Sequence, residues 1–353
     1  MKKVRIGVIG VGTIADSAHL PEYARHPQVE LTAIGDTNLE RAKYIGEKYN
    51  IPNVYESGED LIKSGTVDAI SICTYNVSHV PLAKLAVENG IDVLVEKPLG
   101  ISYAETKELA DLISKHDRIG MVGMTHRFRN DARVIKRFVD NGDLGEIYHV
   151  RAQILRRRGT PTGWFVDNSC SGGGPLMDIG VHVLDLAWWL AGQPEAELVV
   201  GKLATGLGNY QTELIGRWQS SSPHNQDLEI FDVEDFASAF ISFANGMSLS
   251  LEVSWALNGP QDDALKVDLF GTEAGISLDP LRFYSERHNI LLESQLAFDQ
   301  NNWFADEIDH FITSVQNRTE PIPTIEQGAR VVQMLEAIMQ SSKNGGKQIV
   351  LKG

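Results

Sequence analysis

The sequence has few cysteines and few positive charges. Only two cysteines, Cys73 and Cys170, occur among 353 residues, which excludes a disulfide scaffold and favours a reducing compartment. Lys and Arg number 32 against 47 Asp and Glu, giving a net charge of −15. Binding to a phosphate backbone requires clustered cations, so this balance argues against a nucleic-acid partner.

Long apolar runs are also lacking. No uncharged run approaches the ~20 residues that span a bilayer, and the richest, residues 179–192, is interrupted by His182 and Asp185. The apolar run after Lys2-Lys3 is too short and too rich in glycine for a signal peptide. We therefore expect a cytoplasmic protein with no membrane partner.

The first third of the chain alternates strand-like and helix-like segments. Apolar runs predict strands at residues 4–10, 29–35, 67–73, 92–95 and 120–124. Helical spacing predicts helices at residues 14–26, 38–49, 80–89 and 103–116, with Asn38 as an N-cap and Gly90 as a C-cap. Such alternation with nearly continuous apolar strands is typical of a doubly wound parallel sheet covered on both faces.

The pattern changes after about residue 124. Strand-like segments follow at residues 147–155, 236–243, 247–256 and 265–270, and Asn245-Gly246 predicts a hairpin turn. Helices are predicted at 175–190 and 325–342, and a polar loop at 220–227. We expect an α/β domain over residues 1–124 and an α+β domain with a mostly antiparallel sheet over residues 125–353. The alternative for the last helix of this second domain is that it packs back on the first domain.

A nucleotide-binding pattern opens the chain. Residues 10–15 match G-x-G-x-x-[G/A] between the first strand and a helix, the context that binds a pyrophosphate. The candidate residues of this turn are Gly10, Gly12, Thr13 and Ile14. Asp36 ends the next strand, where it would accept hydrogen bonds from ribose hydroxyls and repel a 2′-phosphate, so NAD is favoured over NADP. Arg41 could offset that repulsion, and a glycine turn without a ligand is the alternative.

A polar stripe lies on the apolar helix predicted at 175–190. Asp178, His182 and Asp185 follow i, i+4, i+7 spacing and share one face, behind three glycines at 172–174. Buried charges must be paired or face a wet cleft. A carboxylate beside an imidazole suits a general base, so Asp178 and His182 are candidate catalytic residues, the alternative being a satisfied core histidine. We expect Asp185 to be structural and to pair with an arginine.

The turn at Glu96-Lys97-Pro98 follows the strand predicted at 92–95. Ligands of parallel α/β sheets bind beyond the carboxyl ends of the strands, so Lys97 is placed beside the cofactor by position. It would hydrogen-bond a substrate oxygen, and a surface lysine is the alternative.

These motifs together resemble the glucose–fructose oxidoreductase/inositol dehydrogenase/MocA family of NAD(P)-dependent oxidoreductases, over essentially the whole chain. The matching elements are Gly10-x-Gly12, Cys73-Thr74-Tyr75-Asn76-x-x-His79, Glu96-Lys97-Pro98, Arg127-Phe128, Gly142-x-x-Gly145-Glu146, and 172–185 with Asp178, His182 and Asp185. Tyr75 departs from the family pattern, which usually has proline there.

The resemblance implies a Rossmann domain followed by a domain with a large open sheet, whose outer face commonly forms homodimers or homotetramers. It implies that Lys97, Asp178 and His182 are catalytic and that the Lys97–Pro98 bond is often cis. It also implies that the cofactor is lined by Thr74, Asn76, His79, Glu96 and Arg127.

The expected function is hydride transfer between nicotinamide and a hydroxyl or carbonyl carbon of a sugar, sugar derivative or cyclitol. Arg157 and Trp164 precede the polar helix and are candidate substrate residues, although a solvated basic turn and a core tryptophan are alternatives. The rival functions are an NAD-dependent glycosidase that recycles its cofactor and an NAD-binding sensor without turnover. A metal-dependent hydrolase built on Asp178 and His182 would need a third ligand, and none stands out, so no metal is predicted.

Overall fold

A computed structural model of the protein describes residues 3–212, 219–260 and 264–351. The chain divides into two compact units. The first unit comprises Met1–Thr125, Ser220–Pro223 and Asn302–Val332, and the second comprises His126–Gln219, His224–Asn301 and Gln333–Gly353. Among the described residues, none of the helices is both long and apolar enough to cross a bilayer.

The first unit contains a six-stranded parallel sheet. Its strands are β1 (Val4–Ile9), β2 (Val29–Gly35), β3 (Asn53–Tyr55), β4 (Ala69–Ile72), β5 (Asp92–Glu96) and β6 (Gly120–Gly123). They lie in the order β3-β2-β1-β4-β5-β6, and each neighbouring pair is parallel. Every residue of β4, β5 and β6 is buried, because helices cover the sheet. The predicted doubly wound sheet is confirmed, although β3 was not predicted.

The helices of this part are α1 (Leu20–Arg25), α2 (Leu39–Tyr49), α3 (Gly58–Lys63), α4 (Asn76–Glu88) and α5 (Tyr103–His116). A π-helical turn, Ala15–His19, precedes α1. The Asn38 side chain accepts a hydrogen bond from the Arg41 amide, which confirms the predicted N-cap of α2. Helix α4 begins four residues before the predicted start, and in its first turn the Ser78 hydroxyl donates to the Tyr75 carbonyl.

The second unit is built on a nine-stranded mixed sheet. Its strands are β7 (Ile147–Leu155), β8 (Ala196–Ala204), β9 (Phe236–Phe243), β10 (Ser248–Ser254), β11 (Ala264–Gly271), β12 (Ala274–Ser277), β13 (Arg282–Arg287), β14 (Ile290–Gln295) and β15 (Ile349–Val350). Their order is β14-β13-β12-β11-β7-β10-β9-β8-β15, and only the pair β7–β10 is parallel. Gly246, at φ +84°, turns the chain between β9 and β10, as the hairpin prediction requires.

The remaining helices are α6 (Asn130–Asp140), α7 (Asn168–Ser171), α8 (Val181–Leu190), α9 (Trp303–Asn317) and α10 (Ile325–Lys343). The helix predicted at 175–190 is observed as a π-helical turn, Leu176–Gly180, followed directly by α8. Within the first unit, Gly328 of α10 lies against Val122 and Leu99, where a Cβ would come within 2.6 Å of the Val122 side chain. The described part of the polar segment at 220–227 forms turns, as predicted.

Candidate functional site

The glycine turn after β1 has the conformation that a dinucleotide-binding loop needs. Gly10 has φ +82°, and a Cβ there would lie 2.7 Å from the Cys73 carbonyl oxygen, so only glycine fits. A Cβ at Gly12 would meet, among the described residues, only the Ser221 Oγ at 3.5 Å. Because protein packing does not require a glycine at position 12, its small size fits the approach of a pyrophosphate. Thr13 and Ile14 continue this turn and are partly exposed.

Asp36 closes the other side of the turn. Its Oδ2 accepts a hydrogen bond of 2.8 Å from the Val11 amide, and its Oδ1 accepts one of 2.7 Å from the Asn38 amide. Arg41 donates to the Val11 carbonyl and also to Asp16, at 3.1 and 3.0 Å. The guanidinium is therefore paired with a carboxylate at the place where a free cation would favour a 2′-phosphate, which supports the preference for NAD.

The polar segment of the first unit, residues 220–223, lies against this loop. The Thr13 hydroxyl donates to the Ser221 Oγ at 3.1 Å, and the Tyr75 and Ser222 hydroxyls form a hydrogen bond. Tyr75, the residue that departs from the family pattern, thus holds a segment from far along the chain. Sequence reasoning found the loop but had no signal for its contact with the glycine turn.

The loop between β4 and α4 and the first turn of α4 together carry three of the predicted cofactor residues. Thr74 is partly exposed, and Asn76 and His79 are buried. The ring nitrogens of His79 lie 2.8 Å from the Pro98 carbonyl oxygen and 3.1 Å from the Thr74 carbonyl oxygen. Burial lowers the pKa of His79, so the ring is neutral and donates to one carbonyl at a time. His79 joins this loop to the turn after β5, and its contact with the cofactor stays a prediction.

In the turn after β5, Lys97 is partly exposed while its neighbours in the sequence are buried. Lys97 is the one residue between 91 and 100 that is partly exposed, and the Lys97–Pro98 bond is cis, as the resemblance implied. Its backbone amide donates to the Glu96 Oε2 at 3.1 Å. Glu96 is buried, so its carboxylate fixes the turn from beneath.

Glu96 belongs to a buried hydrogen-bond network that sequence reasoning missed. Its Oε1 lies 2.7 Å from the His19 Nε2, and the His19 Nδ1 lies 3.2 Å from the Ser71 Oγ, which also contacts the Tyr23 hydroxyl at 2.6 Å. Burial alone would lower the pKa of His19, but Cys73 and Glu96 hold it well above its usual value. Burial alone would raise the pKa of Glu96, but His19 lowers it. The pair is therefore an imidazolium and a carboxylate.

A second buried acid, Glu307 of α9, belongs to the same unit. Its Oε2 accepts a hydrogen bond of 3.1 Å from the Thr125 hydroxyl. Burial, together with the charge of Glu96, raises the pKa of Glu307 to about 8. Glu307 is therefore mostly protonated at neutral pH, and no motif in the sequence indicated it.

In the second unit, burial divides the predicted polar stripe. Asp178 and His182 are the only residues between 173 and 188 that are partly exposed. Asp185 is buried and binds the Arg127 guanidinium through two hydrogen bonds of 2.8 and 2.6 Å, which confirms its predicted arginine partner. Arg127 itself is 3% exposed, and its predicted place near the cofactor stays a prediction.

Asp178 and His182 are held by residues that the sequence did not single out. The Asp178 Oδ2 accepts a hydrogen bond of 3.0 Å from the indole of the buried Trp255. The His182 ring packs edge-to-face against His126, with centroids 4.8 Å apart. Asp178 lies on the π-helical turn, a distortion that is frequent at functional sites. Direct contact between Asp178 and His182 stays a prediction.

The start of this helix is shaped by a third carboxylate, Glu234. Its two oxygens accept hydrogen bonds from the Gly174 and Leu176 amides at 2.9 and 3.1 Å. A Cβ at Gly174 would lie 2.0 Å from the Glu234 carbonyl oxygen, which explains the glycine at this position. Burial raises the pKa of Glu234, and the two amides lower it in part.

The candidate substrate residues precede this helix. Trp164 is partly exposed and stacks on Phe165, with centroids 4.0 Å apart. Arg157 is exposed, and its carbonyl accepts a hydrogen bond from the Leu257 amide. Their contact with a substrate stays a prediction.

Known proteins match both parts of the chain. The model of the GFO/IDH/MocA oxidoreductase family, NAD-binding Rossmann fold, matches residues 4–124, and the GFO/IDH/MocA C-terminal domain matches residues 132–277. The D-glucoside 3-dehydrogenase of Escherichia coli is 32% identical over 97% of this chain and 96% of its own length. The scyllo-inositol 2-dehydrogenase (NAD(+)) of Bacillus subtilis is 25% identical over 97% and 95%.

Solved structures share the fold. A levoglucosan dehydrogenase in complex with NADH and L-sorbose superposes with a TM-score of 0.84, at 22% identity, over the full length of both chains. An oxidoreductase domain protein from Kribbella flavida gives a TM-score of 0.86, also at 22% identity and over the full length of both.

Proposed function

Because this chain belongs to the GFO/IDH/MocA family of oxidoreductases with an NAD-binding Rossmann domain, we propose that it is a dehydrogenase of sugar or cyclitol hydroxyls. The observation that carries the assignment of its reacting groups is the partial exposure of Asp178 and His182, in a segment whose other residues from 173 to 188 are buried. Two relatives, a D-glucoside 3-dehydrogenase and a scyllo-inositol 2-dehydrogenase, support the substrate class.

His182 is the proton acceptor of the proposed reaction. The glycine turn and Asp36 would hold NAD, which when bound would supply the acceptor for the hydride of the carbinol carbon. The substrate hydroxyl gives its proton to His182, whose ring is packed by His126. Asp178, held by Trp255, stabilises the imidazolium that results.

Lys97 is the proposed hydrogen-bond donor to the reacting oxygen. Its backbone is fixed by Glu96, which is paired in turn with His19, so the ammonium is carried by a rigid turn. A positive charge stabilises the oxygen as negative charge develops there. In the reverse reaction, His182 returns the proton and Lys97 polarises the carbonyl.

A substrate panel tests the proposed activity. The purified protein is incubated with glucosides, other sugars and cyclitols plus NAD or NADP, and reduced nicotinamide is followed by absorbance; the ketone products are tested with NADH. We expect net turnover with at least one compound and a preference for NAD. Glycoside cleavage without net NADH would indicate the glycosidase, and NAD binding without turnover in either direction would indicate the sensor.

The His182→Ala variant tests the assigned base. We expect kcat to fall by roughly 100-fold or more, the usual contribution of a positioned general base, with little change in NAD affinity. His116→Ala, an exposed histidine of α5, is the matched control and should keep full activity. Turnover by His182→Ala at the control rate would refute the mechanism.

We also propose that a second copy of the chain covers the β14 edge of the large sheet. Strand β14 is one of the two edge strands of this sheet, and its consecutive residues Ile290, Leu291 and Leu292 are 61%, 84% and 39% exposed. Exposed apolar edge strands favour pairing with another chain. Light scattering should give a dimer or tetramer mass and a smaller mass for Leu291→Lys, whereas a monomeric wild type would contradict the proposal.

A cytoplasmic location is the proposed site of action. Both cysteines, Cys73 and Cys170, are free thiols, as a reducing compartment allows. Cell fractionation should recover the protein with cytoplasmic markers, and recovery in a secreted fraction would contradict the proposal.

A further inference from the structure

Three side chains of the kinds that bind metals come together in the second unit, and none of them is among the residues assigned to catalysis. They are Asp167, which caps α7, Cys170 on α7, and His224 from the polar segment. Asp167 is 4% exposed, and Cys170 is partly buried. No sequence motif indicated this group, because His224 lies 54 residues after Cys170.

The three ligand atoms converge on one point. The His224 Nε2 lies 2.7 Å from the Asp167 Oδ2, and the Cys170 Sγ lies 3.8 Å from each of these two atoms. In a nucleophilic cysteine site the carboxylate and the thiol contact opposite nitrogens of the imidazole ring. Here both contact the same nitrogen, which is the geometry of ligands around a shared ion.

These separations are close to those around zinc. Bonds of about 2.0 Å to nitrogen and oxygen and 2.3 Å to sulfur place tetrahedral ligands roughly 3.3 to 3.6 Å apart. The two contacts of the thiol are slightly longer, and the Asp167–His224 contact is shorter. The His224 side chain is 40% exposed, so it has room for the small rotation that would equalise the three distances.

The outer contacts orient the carboxylate toward that point. The Asp167 Oδ1 accepts hydrogen bonds from the Ser169 amide and hydroxyl at 2.9 and 2.7 Å, which leaves Oδ2 facing His224 and Cys170. Such support is typical of metal ligands. Burial alone would raise the pKa of Asp167, but Ser169 and His224 lower it, so the carboxylate is ionised.

We propose that Asp167, Cys170 and His224 bind one zinc-class divalent transition-metal ion, with solvent as the fourth ligand. The thiolate ligand selects such metals over Mg²⁺ and Ca²⁺, which prefer oxygen. Burial raises the pKa of the Cys170 thiol, so the thiol is protonated before the ion binds. On binding, the S–H bond breaks, the proton goes to solvent and a metal–sulfur bond forms without oxidation or reduction. The ion would hold His224, which directly follows Pro223 and begins a segment of the second unit.

Titration of the full chain, without a histidine tag and stripped with a chelator, tests the site. We expect one Zn²⁺ per chain, no competition from excess Mg²⁺, and, with Co²⁺, a thiolate-to-cobalt charge-transfer band. The variants Cys170→Ser and His224→Gln should each lose roughly 100-fold or more in Zn²⁺ affinity, more than loss of an outer-shell contact costs. Cys73→Ser, which removes the buried cysteine of the other unit, should bind as the wild type does.

Thiol labelling gives a second readout that does not depend on enzyme activity. In the native protein the partly exposed Cys170 should react before the buried Cys73, and Zn²⁺ should block that reaction. Zinc binding that is unchanged in both Cys170→Ser and His224→Gln, or the absence of stoichiometric binding by the wild type, would overturn the proposal. Either result would show that Asp167 and His224 form a hydrogen bond and that the group is not a metal site.

Discussion

The free energy of unfolding of the wild type should fall at alkaline pH, and replacing Glu307 by glutamine should remove a large part of that fall. Glu307 is fully buried, and its pKa is raised from 4.5 to about 8. Each tenfold change in proton affinity is worth about 1.4 kcal/mol, so the difference amounts to roughly 5 kcal/mol. Because the folded state binds the proton more tightly than the unfolded state, stability from this group is present below pH 4.5 and is lost as the pH rises through about 8.

The amide of Glu307→Gln cannot ionise, and its oxygen can still accept the Thr125 hydrogen bond. The free energies of unfolding of the variant and the wild type are measured by urea denaturation. Their difference should therefore change by roughly 4 kcal/mol in favour of the variant between pH 5 and pH 8.5. Glu47→Gln, at an exposed position of α2, is the matched control and should follow the wild type. Parallel pH profiles for wild type and Glu307→Gln would refute the reasoning.

Three further substitutions test other features. Asp185→Asn leaves the buried Arg127 guanidinium without its countercharge and should lower the free energy of unfolding by about 3–5 kcal/mol in urea denaturation; a change under 1 kcal/mol would contradict this. Gly174→Ala forces its Cβ onto the Glu234 carbonyl and should cost at least roughly 2 kcal/mol, seen as a lower Tm; an unchanged Tm would show that the segment shifts freely. Asp36→Ser removes the acceptor for ribose hydroxyls and should lower the ratio of kcat/KM for NAD over NADP by roughly 10-fold or more, while an unchanged ratio would place specificity elsewhere.

The sheet of the first unit was predictable because its signals are local. Apolar runs gave β1, β2, β4, β5 and β6, since strands buried on both faces carry nearly continuous apolar residues. Strand β3 has three residues, all partly exposed, so it has no such run. In the second unit, β13 and β14 show no alternation of apolar and polar residues, and every residue of β14 is exposed, so their pairing depends on neighbouring strands rather than on apolar spacing.

The buried networks around the candidate site were not predictable, because their members are far apart in sequence. The hydrogen bond between His19 and Glu96 spans 77 residues, and that between Thr125 and Glu307 spans 182. A lone histidine on a helix gives no sign of its partner. Only the folded sheet, which brings the carboxyl ends of neighbouring strands to one edge, shows which acid lies beside which base.

The polar stripe on the π-helical turn and α8 shows what residue spacing can and cannot decide. The spacing placed Asp178, His182 and Asp185 on one face of the helix, but it did not show which of these side chains are buried. At the end of the stripe, Asp185 is buried and forms an ion pair with the buried Arg127, so that turn carries a buried charge pair. His182, one turn earlier, and Asp178, two turns earlier, are partly exposed to solvent, with which an imidazole can exchange protons. The same pattern of residues therefore contains a buried ion pair at one end and partly exposed polar groups at the other, and burial distinguishes the two.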